Sequence, residues 1–175
     1  MVYLETSRLL LRDWSAADLE HFCKMNADPD VMKYFPRVLS SSETERFYQD
    51  MLAEFNEYGF GLYAVEVKAT KEFIGFLGFH MATFEGDFTP CIEIGWRLKK
   101  EAWGQGYATE GARACLEYGF KQLGFNEVVS FTAEINRPSI SVMRKIGMKP
   151  VKTFLHPKVD QGSPLKKHVL YQINS

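Results

Sequence analysis

The first ordered pattern in the chain is a run of three leucines, Leu9 to Leu11, held between Arg8 and Arg12 and closed by Trp14. A short apolar run with charged ends predicts a first strand. The period then lengthens: Asp18, Leu19, Phe22 and Met25 recur every three or four residues up to Asn26, and Pro29 stops the pattern, so a helix is expected. A second helix follows. Ser42 and Glu45 have capping-box spacing, Phe47, Met51, Phe55 and Tyr58 share one face, and Gly59 and Gly61 end it.

From Leu62 the period shortens again. Leu62 to Val67, Phe73 to Phe84 and Cys91 to Leu98 are rich in aromatic and branched residues and are separated by the turn-like Ala69-Thr70-Lys71 and Glu85-Gly86-Asp87. Three consecutive strands in an antiparallel meander are the natural reading. Ala108, Ala112, Cys115, Leu116 and Phe120 return to helical spacing as far as Leu123, before a strand from Val128 to Ala133, which makes a strand-helix-strand unit. A short helix from Pro138 to Ile146 has proline in its first turn and Gly147 at its end. Two closing strands fit Lys149 to Phe154 and His168 to Ile173. The expected class is mixed α/β, a mostly antiparallel sheet flanked by helices, and no repeat or linker divides residues 1–175, so one domain is expected.

Composition narrows the function. A chain of 175 residues buries roughly 70% of its unfolded surface on folding, enough for one sizeable core. Its 21 basic and 22 acidic residues nearly cancel, which gives no electrostatic case for nucleic acid or an anionic membrane as partner. Cys23, Cys91 and Cys115 form neither a disulfide framework nor a metal-ligand spacing. His21, His80, His156 and His168 are scattered too, so no metal is expected. The first twelve residues carry Glu5, Arg8 and Arg12 in place of a long apolar stretch. A cytoplasmic protein without a signal peptide or membrane span is the expectation.

Candidate chemistry concentrates in Glu93-Ile94-Gly95-Trp96-Arg97-Leu98 and, after a few residues, Trp103-Gly104-Gln105-Gly106-Tyr107-Ala108-Thr109. A strand there leads through a tight turn into a helix. Glycines leave room for a ligand, and the first helical turn has amides without internal partners at the positive end of the helix dipole, a combination that attracts phosphate. A G-x-G alone is equally consistent with a simple turn. A second block follows the next strand: Asn136-Arg137-Pro138-Ser139-Ile140-Ser141-Val142-Met143-Arg144-Lys145-Ile146-Gly147-Met148.

With both blocks, the chain resembles the GCN5-related N-acetyltransferases, in particular the branch that includes the ribosomal-protein N-terminal acetyltransferases. The likeness begins at Arg8-Leu9-Leu10-Leu11-Arg12 and Asp28-Pro29-Asp30-Val31-Met32 and reaches Tyr171. It implies that the strands ending near Leu98 and starting at Val128 splay apart to receive the pantetheine of acetyl-coenzyme A. It implies backbone contacts from Trp96, Arg97 and Leu98, and a pyrophosphate cradle from Trp103 through Gly104, Gln105, Gly106, Tyr107 and Ala108 to Thr109. Asn136 would anchor the pantetheine arm and Met143 would lie beside the thioester. Turn or cap asparagine, and core methionine, are the structural alternatives for these two.

The chain also departs from the pattern. Many relatives have tyrosine at the Met143 position to protonate the leaving thiolate; here Ser139 is the nearest replacement, with helix capping as its alternative role. Glu93 is the expected base, with His80 second. Arg97, Lys99, Lys100, Arg144 and Lys145 are grouped as cations near the phosphate region, and Tyr34, Phe35, Phe47 and Tyr58 as aromatics of the acceptor side or core. An ammonium must first lose a proton, which at neutral pH costs roughly 4 to 5 kcal/mol for lysine and about 1 kcal/mol for a chain amino terminus. A protein N-terminal amine, a small-molecule amine, and an acyl-CoA sensor without catalysis all remain open, as does homodimerisation. A nucleotide site is disfavoured, since no Lys-Ser or Lys-Thr follows the loop and Thr109 stands where a dinucleotide fingerprint has glycine.

Overall fold

The computed structural model describes residues 1–175. In chain order its elements are β1 (Val2–Glu5), β2 (Leu9–Arg12), α1 (Asp18–Ala27), α2 (Ser41–Tyr58), β3 (Leu62–Val67), β4 (Glu72–Ala82) and β5 (Cys91–Leu98). A single 3-10 turn (Lys100–Ala102) then leads to α3 (Tyr107–Lys121), β6 (Glu127–Ala133), α4 (Arg137–Lys145), β7 (Lys149–Leu155) and β8 (Lys167–Asn174). All eight strands form one sheet in the order β1-β2-β3-β4-β5-β6-β8-β7. Every neighbouring pair is antiparallel except β5 and β6, which α3 connects. No helix is long and apolar enough to cross a membrane.

Strand alternation sorts the core into two layers. On β3, Tyr63, Val65 and Val67 pack with Ala112, Cys115 and Leu116 of α3 and Ile140 and Met143 of α4, while Leu62 and Ala64 pack with Phe22 and Met25 of α1 and Met51 of α2. A period of two puts adjacent residues on opposite faces, so α3 and α4 cover one face and α1 and α2 the other. On β5 the same rule sends Ile94 and Leu98 into the α3 core and turns Glu93, Gly95 and Arg97 toward α1 and α2. Each fully buried aliphatic or aromatic side chain contributes roughly 1.5–3 kcal/mol. That anchoring on both faces lets the middle of the sheet hold a cleft open.

Two local details differ from the sequence expectation. The capping box of α2 is Ser40 with Glu43: the Glu43 amide donates to Ser40 Oγ at 3.2 Å, and the Ser40 amide donates to the Glu43 carboxylate at 2.8 Å. Ser42 and Glu45 lie inside the helix. Strand β1, exposed at both ends, was not expected; it precedes the leucine run and pairs with it.

Candidate functional site

The parallel pair β5 and β6 is joined at one register point, Glu93 opposite Val129. One residue farther on, the buried Ser130 hydroxyl donates to the Ile94 carbonyl at 2.9 Å, spanning by a side chain what a backbone bond no longer reaches. Beyond it the strands part. Gly95 to Leu98 stay paired to β4 on one edge, and Ser130 to Ala133 stay paired to β8, so their facing edges form the walls of a wedge. One carbonyl on that wall is engaged, since Trp103 Nε1 donates to Leu98 O at 2.9 Å.

At the mouth of the wedge, Gly104 and Gly106 take φ values of 72° and 78°, the left-handed conformation that glycine adopts without strain. A Cβ on Gly104 would meet nothing within 4 Å, so the loop is open above it. The amides of residues 104–109 make no backbone hydrogen bond, and no side chain caps α3. Together with a helix dipole worth about half a positive charge, they form a cradle for an anion.

A cavity of about 530 Å³ beside this loop is lined by Arg8, Gly106, Thr109, Arg113 and Lys145, together with Ser7 and Glu110. Three cations thus face one carboxylate. Arg8 also straps the loop: its guanidinium donates to the Gln105 carbonyl at 2.8 Å, pairs with Glu110 at 2.6 Å and stacks 4.6 Å over the Tyr107 ring. Neither Arg8 nor Arg113 was picked out from the sequence for this place. Of the cations grouped there, only Lys145 lines the cavity. Lys99 pairs with Glu72, Lys100 with Asp30, and Arg144 donates to the Tyr171 hydroxyl at 3.2 Å.

Arg97 requires a larger correction. Its side chain turns to the opposite face, with its guanidinium 4.3 Å from Phe35, 5.2 Å from Phe76 and 5.7 Å from Phe47, and donates to Asn26 Oδ1 at 2.8 Å. Burial lowers its pKa to about 10. Its backbone faces β4, paired opposite Phe76 on the same edge as the Lys99 amide that donates to Ile74, so the wedge-facing backbone is that of Trp96 and Leu98. Phe35 and Tyr58, grouped with the core aromatics, are each 40% exposed.

Helix α4 flanks the wedge from β6. Asn136 is its N-cap: Oδ1 accepts from the Ser139 amide at 3.3 Å and Nδ2 donates to Thr132 Oγ1 at 2.8 Å. The capping role therefore falls to Asn136, which keeps one amide hydrogen to spare, and leaves the Ser139 hydroxyl uncommitted. Met143 is 1% exposed and packed in the α3 core, so it supports the cleft floor and offers no open surface to a thioester.

On the opposite face, Glu93 Oε1 lies 4.0 Å from where a Cβ on Gly95 would sit, so the missing side chain leaves the carboxyl room beside the wedge. Glu93 is enclosed by protein with part of its surface still reachable by water. Burial raises its pKa to about 8, with nearby Glu54 adding to the rise and His80 opposing it. His80, opposite Glu93 in register, gives Nδ1 to Glu54 at 2.8 Å, and that bond raises the imidazole's pKa. Glu54 was missed in the sequence because nothing in α2 marks one of its glutamates as special. No group of three or more His, Cys, Asp or Glu side chains is positioned to hold a metal ion.

Residues 8–149 match the family model described as Acetyltransferase (GNAT) domain. The chain is 33% identical to the FsC-acetyl coenzyme A-N(2)-transacetylase of Aspergillus fumigatus, over 92% of this chain and 70% of that one. It is 31% identical to the uncharacterized N-acetyltransferase YnaD of Bacillus subtilis, over 85% and 83% of the two chains. The crystal structure of a GNAT-family acetyltransferase from Bacillus anthracis superposes with a TM-score of 0.81 at 30% identity, covering 99% of this chain and 98% of that one.

Proposed function

The chain belongs to the GNAT acetyltransferase family and is an acetyl-CoA-dependent acyltransferase; on that footing we propose that it moves acetyl to a primary amine by direct attack. The observation that carries this reading is the parting of β5 and β6 after Glu93 and Val129, with a cradle of free amides at one end and a perturbed carboxyl on the far face. The backbone of Trp96 and the amide of Leu98, which face away from β4, suit the amides of a pantetheine arm, as an added strand would. Gly104 to Thr109 take the pyrophosphate, and Arg8, Arg113 and Lys145 supply charge for the remaining phosphate.

The amine approaches from the α1 and α2 face, where Glu93 receives its proton, and Ser139 donates to the sulfur that leaves. Positioning the two reactants in contact supplies much of the rate, worth about 7 to 11 kcal/mol in favourable systems. An α-amino group is the best-matched acceptor, because its deprotonation costs only about 1 kcal/mol at neutral pH. A peptide amino terminus satisfies this, in keeping with the sequence resemblance to ribosomal-protein acetyltransferases. A small-molecule amine is the second reading, favoured by the Aspergillus relative, whose name joins an acetyl-coenzyme A donor to a nitrogen, N(2).

A thiol-release screen with acetyl-CoA against peptides, amino acids, polyamines and aminoglycosides tests the proposal. Release of free thiol in step with amide formation supports it and names the acceptor. Binding of acetyl-CoA with no release for any amine would make the protein a sensor instead.

A further inference from the structure

Strand β3 begins at Leu62, opposite Gly78, so the last residues of β4 run on with no strand beside them on that edge. The Phe79 amide finds the Gly61 carbonyl at 2.9 Å. The next amide facing the same way, that of Met81, donates to Glu54 Oε1 at 2.6 Å. Glu54, from the last turns of α2, thus finishes the open sheet edge, and its other oxygen holds His80 Nδ1 at 2.8 Å. One carboxylate does both jobs, which fixes the imidazole's position and tautomer together.

His80 stands directly opposite Glu93. Opposed residues on antiparallel strands have Cβ atoms about 4.5–5.5 Å apart and share a face. Glu93 and Glu54 are each partly buried, Glu54 with 14% of its side chain exposed, while the His80 side chain is 48% exposed. The imidazole is therefore the most open of the three to water.

We propose that His80, held by Glu54, carries to water the proton that the acceptor amine gives to Glu93. This rests on the acetyltransferase reading and adds two positioning residues to it. The acceptor ammonium gives one proton to the Glu93 carboxylate. Its lone pair forms the C–N bond as the C–S bond breaks, and sulfur leaves with the bonding electrons. The second nitrogen proton neutralises the thiolate. One proton remains to be exported, and it passes from Glu93 to His80 Nε2 and then to solvent. The bond to Glu54 keeps hydrogen on Nδ1, which leaves Nε2 as the acceptor that this step requires.

The surrounding charges agree with that direction. Glu54 from α2 and Glu93 from β5 favour the imidazolium, and Lys158, from the segment between β7 and β8, opposes it. The bond to Glu54 raises the pKa of His80, and burial raises that of Glu93.

Glu54→Gln discriminates this role from a merely structural one. Glutamine keeps an oxygen for the Met81 amide but turns a donor toward Nδ1, forcing the ring hydrogen onto Nε2. Histidine-ring nitrogen-15 spectra at about pH 9, with His80→Gln assigning the signal, should show hydrogen on Nδ1 in the unaltered protein and on Nε2 in Glu54→Gln. In the thiol-release assay, both variants should lose at least about tenfold in kcat near pH 7 and regain most of it near pH 9, with CoA affinity unchanged. An unaltered tautomer in Glu54→Gln, or full turnover near pH 7 in either variant, overturns the relay. An unaltered protein that binds CoA but releases thiol with no amine removes the acetyltransferase reading, and the relay with it.

Discussion

Replacing Glu93 by glutamine removes a carboxyl that the fold holds in its protonated form, and the consequence for stability can be worked from its surroundings. Burial moves this group from 4.5 to about 8. A raised carboxyl contributes stability that is fully present below pH 4.5 and is lost as pH rises through 8, because the unfolded chain ionises first. Between those limits the native protein should lose about 1.4 kcal/mol per pH unit relative to a chain without the group. Water reaches part of the carboxyl and His80 lies beside it, so the whole effect should be roughly 2–4 kcal/mol. Glu93→Gln keeps the shape and does not titrate. Urea unfolding of both proteins at about pH 5.5, 7 and 8.5 should show the variant gaining stability over the parent as pH rises. A difference that stays flat across this window, or reverses sign, would refute the placement of Glu93 in a desolvated pocket.

Other consequences follow for the cofactor cradle and the reaction. Arg8→Ala should weaken CoA binding about tenfold by calorimetry, because the loop loses both a facing charge and the strap on Gln105, while kcat at saturation changes little. Gly106→Ala should lower CoA affinity and cost roughly 1 kcal/mol of stability in urea, since alanine at φ 78° is strained at the neck of α3. Ser139→Ala should reduce kcat with CoA affinity intact, because the Asn136 cap of α4 does not use its hydroxyl. The kcat/KM profile should rise with pH and level near 8, where both the Glu93 carboxyl and an α-amino acceptor lose their protons, and Glu93→Gln should lower the plateau while the amine's own limb stays.

Much of this arrangement was legible in the sequence because it depends on local period. The alternation of Cys91 to Leu98, the helical spacing from Ala108 and the two glycines before it set β5, the loop and α3 within a residue or two. Ser40 with Glu43 and Ser42 with Glu45 have the same capping-box spacing, so the spacing alone could not choose between them, and the chain uses the first pair. Alternation could have placed Arg97 with Glu93 and away from the phosphates; grouping it by charge alone obscured this. Arg8 and Glu54 belong to another class. Their partners, Gln105 and Glu110 for one and His80 and Met81 for the other, lie far away in the chain, and only the stacking of β2 on α3 and the early end of β3 bring them together.

Calorimetric titration with CoA, compared with its analogue lacking the 3′-phosphate, tests the central claim most directly. A wedge with free amides at Gly104 to Thr109 and cations at Arg8, Arg113 and Lys145 should bind CoA in the range of about 1 μM to 1 mM, weaken with salt, and prefer the phosphorylated form. Absence of binding heat at millimolar CoA, with no protection of the protein against urea, would contradict it.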